Sequence, residues 1–300
     1  MPKTLVTTIV ILLLSACQQA PEPEDKVLAV RCGDLIDGLA DEALGGKLVL
    51  IRNGRIESVD TIGEIPEGTD VLDLSDYTCL PGLIDTHTHI ALNHDDSSDL
   101  TIYYRRTMAE TMAITLDNAN TTLQAGFTTI RNVGDYFPEA IIEAREMIRQ
   151  GQAPGPRIQT AGSYLTIPGG GGDLIVPGHA ESEIPAGVRI GVARGPEEFA
   201  AATQQVLDNG ADMIKVIASG AVFAFGGVPG SPAMTREEIA AVVEVARANG
   251  VKVTAHAHGA QSIKDAILAG VDSIEHASLA DDAAIALAAE RGVAFSMDVY

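Results

Sequence analysis

Two histidines one residue apart, His87 and His89, close the apolar run Leu80-Pro81-Gly82-Leu83-Ile84-Asp85-Thr86. In a strand, residues i and i+2 project to the same face, so both imidazoles leave the strand end on one side. Three more residues sit late in apolar strand-like runs: Lys215 in Met213-Ile214-Lys215-Val216-Ile217, His256 in Val253-Thr254-Ala255-His256-Ala257-His258, and His276 in Ser273-Ile274-Glu275-His276-Ala277. Singly, each has an ordinary explanation, a hydrogen-bonded interior histidine or a lysine paired with a carboxylate. Together they do not, because an ammonium placed alone among valines and isoleucines is costly to desolvate. Burial lowers a lysine's pKa and favours the free amine. A free amine can add carbon dioxide to give a carbamate, an oxygen anion able to bridge two divalent ions. Imidazole nitrogen suits zinc and similar transition ions. The chemistry expected of this set is binuclear metal chemistry.

The elements that must position these residues follow a regular grammar from Leu80 onward. Strands are predicted at 82–89, 127–133, 157–162, 213–219, 252–257, 273–277 and 293–299, with helices at 101–124, 138–150, 196–209, 235–249, 260–269 and 281–291. Thr235 and Glu238 form a capping box for the fourth helix, and Gly250 stands at its stop. This alternation predicts an α/β fold with a parallel sheet. No Gly-x-Gly-x-x-Gly follows the first strand, which leaves a (β/α)8-type TIM barrel as the preferred reading over a dinucleotide-binding sheet. In a TIM barrel the strand C-termini open onto the active-site mouth, where all five residues would meet. Seven such strands are readable, and the eighth is expected beyond Tyr300, so the chain reads as C-terminally incomplete. Residues 27–79 read instead as a small, β-sandwich-like unit, with a hairpin turn at Asn53-Gly54. The expected division is 1–26 as signal and tether, 27–79 as the small β domain, and 80–300 as the incomplete barrel. The stretch 164–195, with its run Gly169-Gly170-Gly171-Gly172, is expected to be a mobile lid over the mouth.

The chain of 300 residues has a formal charge of -21, which makes nucleic acid an improbable partner. Its first residues, Lys3, an apolar run from Leu5 to Leu14 and then Leu14-Ser15-Ala16-Cys17, resemble a bacterial lipoprotein signal. That resemblance implies a lipid on Cys17 and a periplasm-facing place in the cell envelope, held to a membrane by acyl chains alone. Gln18 after the cysteine favours the outer over the inner membrane. Cys32 and Cys79 could pair in an oxidising compartment, but they are read here as two buried free thiols.

The motifs Leu-Pro-Gly-Leu-Ile-Asp-Thr-His-Thr-His (80–89), Gly-Pro-Arg-Ile (155–158), Ile-Lys-Val (214–216), His-Ala-His-Gly (256–259) and Ser-Ile-Glu-His-Ala (273–277) carry a further resemblance. From about residue 27 onward the chain resembles the metal-dependent amidohydrolase superfamily, in the branch of imidazolonepropionase-related proteins and prolidase-like dipeptidases. The resemblance implies two divalent ions, zinc by preference. His87 and His89 would bind the more buried ion, His256 and His276 the more exposed one, and a carbamylated Lys215 would bridge them. His258 would be a neighbour of the site or simply exposed. The family's catalytic aspartate after the eighth strand matches no position here; Asp298 falls in the seventh strand. The catalytic residue is therefore unassigned, and the chain as written is expected to bind metal poorly and to be inactive. The complete gene product would hydrolyse amide C–N bonds by metal-activated hydroxide, with dipeptides or N-acyl amino acids as the substrates. Two alternatives stand beside this: a cyclic amidase or deaminase of the same superfamily, and a catalytically inactive envelope lipoprotein fragment. Where related proteins often carry a histidine after the third strand, this chain has Gly171. Tyr164, His179, Arg189, Arg194 and His258 are candidates for holding a substrate, and Arg131 for lining the barrel or pairing internally.

Overall fold

Alternating strand runs joined by a tight turn give the first sheet. The computed structural model describes residues 26–61, 65–222, 225 and 227–297, so Cys17, the signal segment and Asp298 lie outside the described residues. Strands β1 (Val27–Leu35), β2 (Leu44–Arg52), β3 (Arg55–Thr61) and β4 (Asp70–Cys79) form one sheet in the order β3-β2-β1-β4. Asn53 and Gly54 turn the β2–β3 hairpin with φ of 52° and 75°, the left-handed pair that a two-residue turn needs. Cys32, Leu35 and Val49 form the core of this unit. Among the described residues it is a single sheet. The free-thiol expectation is overturned. β4 runs parallel to β1, and a register shift after Cys32 brings its end alongside Leu35. Cys32 and Cys79 then stand 5.7 Å apart at Cα and are joined as a disulfide.

The second compact unit begins at Gly82. Its strands are β5 (Leu83–Thr88), β6 (Phe127–Asn132), β7 (Arg157–Thr160), β8 (Tyr164–Leu165), β9 (Ile214–Ile217), β10 (Val253–Gly259), β11 (Ser273–Leu279) and β12 (Ala294–Ser296). They pair in two parallel runs, β5-β6-β7 and β8-β9-β10-β11-β12, each in chain order. The strand expected at 157–162 is β7, ending at Thr160 and pairing with β6, and a further short strand, β8, follows it and pairs with β9.

Helices α1 (Ile102–Arg105), α2 (Met108–Gln124), α3 (Pro138–Arg149), α4 (Gly195–Asp208), α5 (Arg236–Ala248), α6 (Ala260–Ala269) and α7 (Asp282–Arg291) alternate with them. The single helix expected over 101–124 is broken. Thr107 opens a fresh capping box with Glu110, and Arg106 takes an extended conformation while its guanidinium grips Asp96. The capping box at Thr235 is present as read. The main core lies between strands and helices, where Ile214, Val216, Val253, Ala255 and Ile274 meet Phe199, Val206, Ile239, Val242 and Ile263. Each such large side chain contributes about 1.5–3 kcal/mol on burial.

The stretch expected to be a mobile lid carries contacts of its own. Asp173 accepts two hydrogen bonds from Arg189, both 2.8 Å, and one from the Gly169 amide at 2.9 Å. Leu174, Ile184 and Val188 pack with Tyr103 into a second cluster. Among the described residues, no helix is long and apolar enough to cross a membrane.

Candidate metal centre

β5 and the residue after it, with β9, β10 and β11, carry the residues singled out above. Imidazole follows imidazole: ring centroids are 5.2 Å apart for His87 and His89, 4.7 Å for His87 and His276, and 4.5 Å for His276 and His256. Register fixes the order. Lys215 on β9 lies opposite Tyr164 of β8 and Thr254 of β10, and His256 lies opposite Glu275 of β11. The Lys215 side chain is enclosed, 1% exposed. Burial lowers the pKa of His87, His89 and His256, and the Lys215 charge lowers each further; His89 is pushed down to about 3. These three rings are therefore neutral at ordinary pH, the state a metal ligand requires.

Two of the rings have their tautomers set by the protein. His89 Nδ1 donates to the Gly134 carbonyl at 2.6 Å, and a carbonyl can only accept. His87 Nδ1 donates to Glu275 Oε2 at 2.7 Å. Burial pushes the Glu275 carboxyl up, but the His87 bond, the Lys215 charge, Thr254 and Arg131 outweigh it and hold it at about 2. In both histidines the lone pair is thereby left on Nε2, and the partner on Nδ1 orients the ring, as around metal-ligating histidines generally. Glu275 is wholly enclosed and also accepts from Arg131 Nη2 at 2.5 Å and from the Thr254 hydroxyl. Arg131 reaches further, to the Thr86 carbonyl at 2.6 Å and Ser273 Oγ at 3.0 Å, tying β6 to β5 and β11.

Whether a metal fits can be judged from the donors. His256 Nε2 is buried and has no hydrogen-bond partner among the described residues, an orphan that a cation would satisfy. His276 and Ala277 hold φ of 70° and 53°, a conformation that side chains other than glycine's adopt at a cost and that clusters at functional sites. His256, His258 and His276 each place one ring nitrogen within 4.8 Å of the others, a group able to hold a metal ion. His258 is thus enclosed against the cluster, not exposed as the sequence reading allowed. The donor set is nitrogen-rich, with one carboxylate behind it, and fits a transition ion such as zinc better than magnesium or calcium.

The other sequence candidates separate from this group. Tyr164 is close, its hydroxyl 3.2 Å from His89 Nδ1, and packs edge-on against Tyr136. Arg189 is committed to Asp173 and, at 2.5 Å, to Glu181. His179 pairs with Glu183 at 2.8 Å on the loop surface. Arg194 caps the start of α4, its amide bonded to Glu198. Arg131 proves to pair internally, with Glu275. Sequence reasoning left Glu275 without a role, although a carboxylate amid Ile274 and Ala277 on a buried strand is the same kind of signal that marked Lys215.

Known proteins resemble this chain in sequence and fold. Ochratoxinase of Aspergillus niger is 29% identical over 297 aligned residues, taking in 92% of this chain and 59% of that protein. A solved Xaa-Pro dipeptidase with methionine bound in its active site superposes with a TM-score of 0.82 at 34% identity, covering 90% of this chain and 66% of that one. A solved prolidase complexed with N-methylphosphonate-L-proline gives 0.81 at 27% identity, covering 90% and 65%. The chain therefore spans less than two thirds of the length of these relatives. Residues 78–299 match the amidohydrolase family, and the chain belongs to that family.

Proposed function

We propose that this chain carries the metal centre of a hydrolase that cleaves amide C–N bonds in dipeptides or N-acyl amino acids. The observation that supports the reading is the chain of four neighbouring imidazoles, with the charge of the buried Lys215 acting on three of them and with His87 and His89 held in the ligating tautomer. The printed activities of the similar proteins, an Xaa-Pro dipeptidase, a prolidase and an ochratoxinase, favour a small amide substrate. His87 and His89 would hold one divalent ion, zinc by preference, and His256 and His276 a second. Lys215, as a carbamate, would supply the oxygen anion between them. When bound, such ions supply Lewis-acid activation of water and of a substrate carbonyl. Glu275 and the Gly134 carbonyl orient the rings. The Arg131–Glu275 pair anchors the strand ends that deliver them.

The place of action belongs to the same proposal: a lipid-anchored protein of the cell envelope, facing the periplasm. The Cys17 motif supports it, and so does the Cys32–Cys79 bridge, which suits an oxidising compartment. The test is a panel of dipeptides and N-acyl amino acids, given to the complete gene product with zinc and bicarbonate. Release of free amino acid, abolished by Lys215→Met, is expected. A silent panel with a metal-loaded, folded protein would overturn the reading.

A further inference from the structure

Within the centre, three imidazoles form a group that does not need Lys215. β10 supplies His256 and His258, residues i and i+2, and β11 supplies His276. The pairing of β10 with β11 shifts register between Ala257 and Gly259, where His276 and Ala277 adopt left-handed backbone. That irregularity swings the His276 ring against both others. It stands 4.5 Å from His256 and lies stacked on His258 at 4.8 Å, while His256 and His258 are 4.6 Å apart. His258 is braced from two sides: its amide donates to Ser219 Oγ at 3.1 Å, and its Nδ1 is 3.0 Å from Ser278 Oγ. Gly259 lets the β10 end approach the neighbouring loop, since a Cβ there would lie 1.9 Å from the Gly230 carbonyl oxygen.

An amine that has not added carbon dioxide offers no anionic oxygen. An ion entering the unmodified site lacks that oxygen, and the imidazoles are nitrogen donors grouped closely enough to hold it. Three imidazole nitrogens within 4.8 Å of one another are a donor set that suits zinc. The buried Nε2 of His256, a residue 7% exposed, has no hydrogen-bond partner among the described residues and is a donor that such an ion would satisfy.

We propose that His256, His258 and His276 form a self-sufficient three-imidazole site that takes one divalent transition ion before Lys215 is carbamylated, with His258 as a direct ligand. The inference rests on the metal-centre part of the proposed function and is independent of its substrate.

The experiment is calorimetric titration of the metal-free full chain with Zn2+ in carbon dioxide-free buffer. One equivalent is expected to bind. Lys215→Met should leave that equivalent unchanged, and His258→Gln should weaken it by more than about 100-fold, beyond the roughly 10–100-fold lost when a residue that only supports a ligand is changed. X-ray absorption on the wild-type chain with one equivalent of zinc should count three imidazoles, which keeps the proposal testable should His258→Gln fail to fold. Unchanged affinity in His258→Gln, loss of the first equivalent in Lys215→Met, or only two imidazoles would each overturn it. Failure of the dipeptide panel with this zinc site intact would sink the substrate reading alone.

Discussion

Replacing Glu275 by glutamine tests the support beneath the metal centre. The carboxylate is wholly enclosed and accepts from His87 Nδ1 at 2.7 Å and Arg131 Nη2 at 2.5 Å, with Thr254 as a third donor. A glutamine has one accepting end and one donating end. With its oxygen toward His87, its NH2 faces the Arg131 donor; with its NH2 toward His87, the ring must move its proton to Nε2 and lose the ligating lone pair. Either way one conflict remains in a buried site. Breaking such a pair costs about 3–5 kcal/mol; Arg131 retains 19% exposure, which puts the expectation near the low end, about 3 kcal/mol. For a urea slope of about 2–3 kcal/mol/M this lowers the unfolding midpoint by about 1 M. Zinc affinity should fall about 10–100-fold. Thr254→Val, which removes a neutral donor to the same carboxylate, should cost only about 1 kcal/mol. Urea unfolding followed by circular dichroism, and zinc titration of the same samples, read both effects. A Glu275→Gln protein with wild-type midpoint and wild-type zinc affinity would refute the reasoning.

Removing the bridge by Cys32→Ala with Cys79→Ala should destabilise the first unit by about 4 kcal/mol, the chain-entropy value for a separation of 47 residues, read by denaturant unfolding without reductant. Asp96 should confer acid sensitivity. Burial raises its carboxyl pKa, but the Arg106 guanidinium at 2.6 and 2.7 Å and the Asn93 amide outweigh this, so its folded pKa lies below 3.8. Its contribution is present above the unfolded pKa and is lost as pH falls through the folded one, and Asp96→Asn should lower stability at pH 7 by about 3 kcal/mol while flattening the profile below pH 4. His89 acts in a higher window. Its pKa falls from 6.5 unfolded to about 3 folded, so the unfolded chain takes the proton first and stability declines from pH 6.5 toward 3. Thermal melts of the metal-free chain in chelator should show that decline, and His89→Asn should blunt it.

The chemistry-bearing residues were legible because strand periodicity is local. His87 and His89 share a face by their spacing alone, and Lys215, His256 and His276 each lie within a largely apolar run. Their supports were not, because they come from far along the chain. Glu275 meets His87 across 188 positions and Arg131 across 144, and no local pattern records such pairs. The same holds for Cys32 and Cys79, whose meeting depends on a parallel β1–β4 pairing and its register shift. The break before α2 was readable, since Thr107 and Glu110 have capping-box spacing, but the long apolar helix pattern overshadowed it. The glycine run after β8 has a packing role that its sequence does not disclose. Its glycines serve close approach more than freedom: a Cβ at Gly172 would lie 2.7 Å from Tyr164 Cβ, and one at Gly170 2.4 Å from Thr166 Oγ1. His258 was set aside because strand position alone could not show the left-handed turn that carries His276 onto it.

The most direct measurement is anomalous diffraction at the zinc edge, on crystals of the protein grown with zinc and bicarbonate. Two peaks are predicted, one beside His87 and His89 and one beside His256 and His276, with density for a carboxylated Lys215 side chain running between them. Peaks that lie away from these histidines, or a Lys215 amine turned out of reach of both, would contradict a shared centre.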